Sequence, residues 1–275
     1  MQCPNPISIL RQKIDSNGNK VGEPASIGVP CGKCLICLEA RREDWTFRVK
    51  NELHHAKSAY FVTLTYEDFA LPVTEDGEIT LSKRDVQLWM KQLRHKSKNQ
   101  LRYYLVGEYG TKLERPHYHL ILYNLERENL HEIGKTWEKG YVKIGTVTDA
   151  SIHYVTGYIM FPETEDTTRQ KPFSLMSRRP PLGHQYLKDN TELHAGNQQF
   201  HVSNNGFAQK MPRFYRRKIF SEENNEKYRE QLEKRIHETE KIDKQKFPDY
   251  FAYKRECEQH RINHLKSKVK SKRQL

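Results

Sequence analysis

Residues 115–123, RPHYHLILY, contain the side chains best suited to chemistry. As a β-strand this stretch turns successive side chains to opposite faces. His117, His119 and Ile121 then share one face, and Tyr118, Leu120 and Leu122 share the other. Two imidazoles spaced this way stand about 7 Å apart and can hold one metal ion between them. Pro116 can open a strand but not sit inside a ladder, which places the start of the strand at His117. A strand whose polar face simply carries two histidines has the same pattern, so a third ligand is needed to tell the two apart. If residues 101–110 pair with 117–124 as a hairpin, Tyr104, Val106 and Glu108 lie on one face, with Glu108 nearest the turn. A carboxylate with two neutral imidazoles leaves a partly open site suited to Mg²⁺ or Mn²⁺. Glu114, in the connecting loop, is the rival ligand.

A candidate nucleophile lies downstream, in a helix predicted over 150–161. Ile152, Val155 and Ile159 make its core stripe, while Tyr154 and Tyr158, four residues apart, lie one turn apart on its flank. Packing alone would account for such a pair. A tyrosine hydroxyl can also attack phosphorus when a metal polarises the phosphate.

Four of the five cysteines fall in the first 37 residues. Cys31, Cys34 and Cys37 repeat at CxxC spacing in PCGKCLIC, and Cys3 supplies a fourth thiolate, the count a tetrahedral zinc site requires. Gly32 eases the backbone within this knuckle. The stretch between Cys3 and Cys31, with DSNGNKVGEP inside it, reads as a hairpin or loop rich in turn residues. Buried free thiols or an iron–sulfur cluster are the other readings of the cysteines. Cys257 stands alone in a polar region.

The elements that must position these groups follow from periodicity. A helix is expected over 38–58, with Trp45, Val49 and Leu53 inward. YFVTLTY (60–66) is a strand. Ser82 caps a helix over 82–96 whose apolar face is Val86, Trp89, Met90 and Leu93, with Asp85 three residues after the cap. A strand (101–110), the histidine strand (117–124), a helix (126–140) and a strand (141–148) come next. Asp149 is expected to cap the tyrosine helix, and Pro162 to end it. The order β-α-β-β-α-β from 60 to 148 gives an α+β fold of the ferredoxin-like, split βαβ kind: an antiparallel sheet with helices on one face.

Beyond 165 the pattern weakens. PRFYRRKIF (212–220) interleaves aromatics with Arg213, Arg216 and Arg217, a composition suited either to stacking on bases and pairing with phosphates or to packing back on the domain. Residues 221–245 read as a charged helix, and KSKVKSKRQL at the end as a basic, disordered tail. A formal charge of +12 points to a polyanionic partner, nucleic acid first. No apolar run is long enough to span a membrane and the N-terminus lacks a signal-peptide pattern, so a cytoplasmic protein is expected.

Taken in order, YFVTLTY, RPHYHLILY and YVTGY resemble the three motifs of the HUH endonucleases, with Tyr118 as the bulky residue between the histidines. The tyrosine pair and the N-terminal cysteines resemble the replication initiators of microviruses, the gokushovirus branch above all. That resemblance implies a rolling-circle initiator that nicks single-stranded DNA at an origin and stays joined to the 5′-phosphate through tyrosine. It implies Tyr154 and Tyr158 as nucleophiles, Glu108, His117 and His119 as metal ligands, and host helicase and polymerase as partners. On this reading, 1–58 is a Cys-rich zinc-binding element and helix, 59–165 the endonuclease core, and 166–275 a basic extension. Relatives usually carry lysine three residues after each tyrosine, where this chain has Gly157 and Phe161; either another base such as Lys143 or Arg115 takes over, or the activity is reduced or differently tuned. Plasmid initiators, relaxases and single-strand transposases share the chemistry. A non-catalytic RNA- or single-strand-binding protein of the same fold would want exposed aromatics where this chain has imidazoles.

Overall fold

The computed structural model describes residues 3–14, 19–160, 168–204 and 206–273. Strands β1 (Ile7–Ile14) and β2 (Lys20–Val29) form the expected N-terminal hairpin. Helix α1 (Leu35–His55) leads into β3 (Ala59–Thr65), α2 (Lys83–His95), β4 (Arg102–Tyr109), β5 (Pro116–Tyr123), the short α3 (His131–Thr136), β6 (Val142–Thr146) and α4 (Asp149–Gly157). The sheet order is β6-β3-β5-β4, fully antiparallel, with β7 (Phe173–Met176) added beyond β4 as a fifth strand. The first four strands have the split βαβ arrangement read from the sequence.

Alternation along the strands divides the core in two. Val62, Leu64, Leu105, Leu120 and Leu122 face Val86, Trp89, Met90 and Leu93 of α2 and Ile133 of α3. Phe61, Tyr104, Val106, Ile121 and Tyr123 face the other way, onto Val49 of α1 and Ile152 and Val155 of α4. The two crossover helices thus share one face as expected, and α1 and α4 cover the opposite one. Each buried aliphatic side chain contributes about 1.5–3 kcal/mol by leaving water.

Local signals act as read in some places and differ in others. Ser82 caps α2, its hydroxyl accepting from Asp85 N at 3.2 Å. At α4 the cap is Thr148 rather than Asp149: Thr148 Oγ1 accepts from Ser151 N while Ser151 Oγ accepts from Thr148 N, a reciprocal capping box. Asp149 instead occupies the first turn, where the helix dipole favours its charge, and pairs with Lys50 at 3.0 Å. The helix does not run on to Pro162, which lies outside the described residues; it yields at Gly157 to a 3₁₀ turn over Tyr158–Met160. Strand β5 starts one residue earlier than expected, at Pro116, where a missing N–H costs least. The predicted 126–140 helix is a 3₁₀ turn (Arg127–Asn129) followed by α3. It stops there because the chain must cross close to β3. A Cβ on Gly140 would lie 2.5 Å from the carbonyl oxygen of Thr65, so only glycine fits.

The region beyond 165 is more ordered than its composition suggests. It holds α5 (Gln185–Gly196), the hairpin β8 (His201–Asn204) and β9 (Phe207–Lys210), then α6 (Arg213–Ile219), α7 (Glu222–Lys246) and α8 (Tyr250–Arg273). Phe200, Val202, Met211, Tyr215 and Phe220 build a third core on Phe47 of α1. The basic tail, expected to be disordered, is helical to Arg273, because Leu265 and Val269 dock on Ile36, Leu38 and Met160. No described helix is long and apolar enough to cross a membrane.

One buried pair ties the layers together. Glu52 of α1 accepts from the Arg102 guanidinium, and Arg102 donates onward to the carbonyls of Pro180 and Pro181 at 2.9 and 3.0 Å. Both side chains are over nine-tenths buried. Arg102→Ala leaves the Glu52 carboxylate without its partner and should cost about 3–5 kcal/mol in urea denaturation. Arg84→Ala, on the exposed face of α2, should change stability by no more than about 0.5 kcal/mol.

Candidate active site and cysteine cluster

Strand β5 lies between β3 and β4, and this register assembles the site. Glu108 pairs opposite His117, and Thr63 pairs opposite His119. The two imidazole planes are parallel within 2°, their centroids 6.4 Å apart, so both rings project the same way from the sheet. Glu108 Oε1 reaches His119 Nε2 at 2.9 Å. Glu114, the rival ligand, lies in the turn with φ 48°, largely exposed and paired with Arg169.

Each imidazole is held from behind by an oxygen. His117 Nδ1 lies 2.7 Å from the Arg115 carbonyl, which can only accept, so the proton sits on Nδ1 and Nε2 carries the lone pair. His119 Nδ1 lies 3.0 Å from Thr63 Oγ1. Gly110 makes room for the first ring: a Cβ there would approach His117 Cε1 to 2.9 Å.

Both tyrosines come to this spot. Tyr154 Oη lies 3.4 Å from His119 Nε2, and its ring meets the imidazole edge-on at 5.1 Å. Tyr158 and Phe61 lie parallel to the imidazole at 6.1 and 5.9 Å. The two tyrosine rings are 5.2 Å apart, Tyr154 on the last turn of α4 and Tyr158 on the 3₁₀ turn that follows. Burial raises the pKa of both phenols, and the neighbouring Glu108 charge raises them further. A hydrogen bond with Tyr158 acts in the opposite direction at Tyr154 and lowers its pKa.

Tyr118, between the histidines, serves the opposite face. Its hydroxyl accepts from Ser82 N at 2.9 Å and meets Tyr66 Oη at 3.0 Å, locking the start of α2 to the middle of the sheet. Burial pushes this phenol up to about 12.

The basic residues named from the sequence do not all converge here. Lys143, exposed on β6, lies opposite Thr63 in the same transverse row as His119. Arg115 pairs with Asp68 and donates to the Tyr66 carbonyl at 2.8 Å, while its own carbonyl steadies His117. Arg213, Arg216 and Arg217 sit on α6, in the third core's layer. The aromatics interleaved with them are not a stacking platform: Tyr215 and Phe220 are buried, and Phe214 lies 4.3 Å under the Arg48 guanidinium. Gly157 is buried at the end of α4, and Phe161 lies outside the described residues. Phe61 and Thr63, which hold His119, were not singled out by sequence, although alternation along YFVTLTY puts both on the histidine face.

The four N-terminal cysteines form a second cluster. Their sulfurs lie within 4.8 Å of one another, with Cys3 at 3.4 Å from Cys31 and 3.7 Å from Cys34, and Cys31 at 4.0 Å from Cys37. Backbone N–H groups of Lys33 and Cys34 point at Cys31 Sγ and lower its pKa to about 6. Burial pushes Cys37 up to about 12. Such a cluster could hold a metal ion. Among the described residues it alone gathers three or more candidate ligand atoms this tightly; Glu108 lies opposite His117 and reaches His119, in a looser set.

Residues 59–161, from the first residue of β3 through the tyrosine turn, match the family of the replication-associated protein ORF2. The chain is 30% identical over 166 residues to Replication-associated protein ORF2 of Spiroplasma virus 4, covering 53% of this chain and 51% of that protein. It is 26% identical over 219 residues to Replication-associated protein VP4 of Bdellovibrio phage phiMH2K, covering 70% and 68%. Replication-associated protein ORF4 of Chlamydia phage 1 is 26% identical over 170 residues, covering 53% of this chain and 41% of its own length. The chain thus aligns with about half the length of the first of these relatives. No solved structure matches it. These relatives agree with the resemblance to phage replication proteins read from the motifs, and the family segment ends at the tyrosine turn.

The tyrosine environment can be tested directly. With ¹³Cζ-labelled tyrosine, Tyr158 should titrate above the ordinary value near 10 in NMR spectra. Glu108→Gln removes a negative charge that disfavours the phenolate, so the midpoint should move down. An unchanged midpoint would mean that burial alone sets it.

Proposed function

We propose that this chain initiates rolling-circle replication by nicking single-stranded DNA at an origin and holding the 5′ end as a phosphotyrosine. The observation that carries this reading is the placement of Tyr154 Oη 3.4 Å from His119 Nε2, beside Glu108. A tyrosine pair serving only as packing would not need to face two imidazoles and a carboxylate.

Glu108, His117 and His119 would hold Mg²⁺ or Mn²⁺. The donor set fits such an ion: one carboxylate and two imidazoles, with His117 Nδ1 held by the Arg115 carbonyl so that its Nε2 is left for a ligand, and His119 Nε2 turned toward Glu108. A bound divalent ion supplies charge stabilisation to the phosphoryl oxygens. The chain's own residues do the rest. Tyr154 Oη attacks the phosphorus, an oxygen–phosphorus bond forms, and the bond to the 3′ oxygen of the preceding nucleotide breaks. That oxygen leaves and is protonated to a 3′-hydroxyl, which a polymerase can extend. The phenolic proton has an acceptor within reach in the Glu108 carboxylate, which has a second oxygen besides the one an ion would take. Tyr154 is the better first nucleophile, because it stands on the regular part of α4 and its hydrogen bond with Tyr158 favours the phenolate. Tyr158, next to it, is available for a second cut while the first strand end remains attached. The bond energy is conserved in the phosphotyrosine, so rejoining needs no nucleotide cofactor. Two tyrosines at one site favour an initiator over single-tyrosine relaxases and transposases. Lys143, exposed in the His119 row, is the cation well placed to meet a substrate phosphate.

The test is a covalent adduct with single-stranded origin DNA in Mn²⁺. Tyr154→Phe and Tyr158→Phe should each still form an adduct through the surviving tyrosine, the second variant more efficiently. The double variant should bind DNA and form none. Mass spectrometry that finds DNA on any other residue would remove the pair from the mechanism. His117→Ala or His119→Ala should abolish cleavage while preserving salt-sensitive binding, which phosphate contacts supply.

The cysteine cluster we assign to structural zinc. Four sulfurs about 2.3 Å from one tetrahedral ion stand roughly 3.8 Å apart, in line with the separations in this cluster. Elemental analysis of freshly reduced protein should find about one zinc per chain. Cys34→Ser should lower the metal content and the melting temperature together, since metal binding contributes folding energy. Full stability without zinc would refute the assignment.

A further inference from the structure

At the end of the sheet remote from the tyrosines lies a cleft of about 670 Å³, lined by Arg94, Arg178, Arg179, Asn99, Gln100 and Ser177 among others. It is reached along β4, whose first residue, Arg102, lines the cleft and whose seventh, Glu108, lies in the candidate active site. Six residues of strand separate them by roughly 20 Å.

What sets the arginines here apart is that three of them without a carboxylate partner surround one cleft; Arg229, for instance, lies 3.9 Å from Glu222. Arg11, Arg42, Arg102, Arg115 and Arg169 each pair with a carboxylate. Among the described residues, Arg94, Arg178 and Arg179 pair with none, and all three are exposed. The cleft lining contains no acidic residue. The C-terminal dipole of α2 accounts for part of the preference for a cation at Arg94. It does not account for Arg178 and Arg179, which follow a strand.

These two sit on a stiffened turn. Arg102 donates to the carbonyls of Pro180 and Pro181, Arg178 bridges Pro181, and Ser177 exchanges hydrogen bonds with the backbone of Tyr103. The Arg94 guanidinium lies 5.6 Å from the Tyr103 ring, on the flank of the cleft. Three guanidiniums held around one cleft repel one another unless an anion lies between them, and arginine is suited to binding phosphate oxygens in pairs.

We infer that this cleft binds the phosphate backbone of the DNA substrate away from the cleavage point, as a second anchor for the same strand. The inference rests on the proposed DNA-nicking reading and deepens it. About 20 Å corresponds to six stacked nucleotides at 3.4 Å each, so a strand engaged at the tyrosines can reach the cleft only if it is longer than that.

Length therefore supplies the test. Fluorescein-labelled dT6 and dT20 are titrated into wild-type protein and the R94A/R178A/R179A variant over a range of salt. A dT6 strand can fill only one of the two sites at a time, so the variant should lose less on dT6 than on dT20. On dT20 the variant should bind more weakly, with the slope of log K against log salt shallower by about 2, near 0.7 for each lost phosphate contact. The corresponding triple lysine variant keeps the charges and should keep most of the slope, which separates lost contacts from lost structure. An unchanged slope on dT20, or equal losses on dT6 and dT20, would overturn the inference. Adduct formation on a short origin oligonucleotide is read in parallel. Its presence in the variant leaves the nicking chemistry standing whatever the cleft result, and its absence from wild-type protein would remove the chemistry itself.

Discussion

The antiparallel register of β5 between β3 and β4 is the constraint on which the rest depends. Side chains on a strand have a period of two, so a slip by one residue would carry both imidazoles into the α2 face and turn Tyr118 and Leu120 out of their core onto the α1 and α4 face. Two sets of contacts guard against that slip. On one face, Tyr118 is locked to Tyr66 and to the cap of α2, and Leu120 and Leu122 lie in the main core. On the other, Ile121 and Tyr123 pack beneath α1 and α4, with the Tyr123 hydroxyl donating to the Val49 carbonyl at 2.9 Å. The histidines are thus held by the cost of moving their apolar neighbours, which exceeds anything the imidazoles themselves contribute.

Around that strand, the site is ordered by residues that would not touch substrate. Thr63 and the Arg115 carbonyl orient the imidazoles, Gly110 leaves space for one of them, and Phe61 lies parallel to the other. Gly140 lets the chain pass against β3, placing β6 and Lys143 beside the histidine row. The break in α4 at Gly157 puts the two tyrosines on different kinds of turn, and so in unequal surroundings despite their regular spacing.

The chain beyond the family segment is built onto α1. That helix carries Cys34 at its start, packs on the sheet through Val49, supplies Phe47 to the third core and receives Leu265 of α8 near its first turn. Met160, directly after the tyrosine turn begins, shares the α8 contact. The cysteine cluster, the C-terminal helix and the end of the tyrosine segment therefore meet in one small apolar cluster, and a change in any of them is felt by the other two.

Much of this was legible in the sequence. Period-two alternation in YFVTLTY and RPHYHLILY, the Ser82 cap and the 3.6-residue stripe of α2 are local signals, and local signals determine element type and facing. They also put Glu108 rather than Glu114 beside the histidines, because hairpin pairing leaves one next to them and the other in the turn. The Cys31, Cys34 and Cys37 knuckle was readable because CxxC spacing is local, and Cys3 completed the count of four although it lies 28 residues before Cys31. What the tertiary structure decided lies where a residue's role depends on partners distant in sequence. Thr148 rather than Asp149 caps α4 because its hydroxyl, and not the carboxylate, reaches Ser151. The aromatics of PRFYRRKIF turned inward because Phe47, 168 residues before Tyr215, offers them a surface. The basic tail became a helix because Leu265 and Val269 find Ile36 and Met160, and no composition of the tail alone encodes that contact. Burial of an apolar face is a property of two surfaces, and a single stretch of sequence contains only one of them.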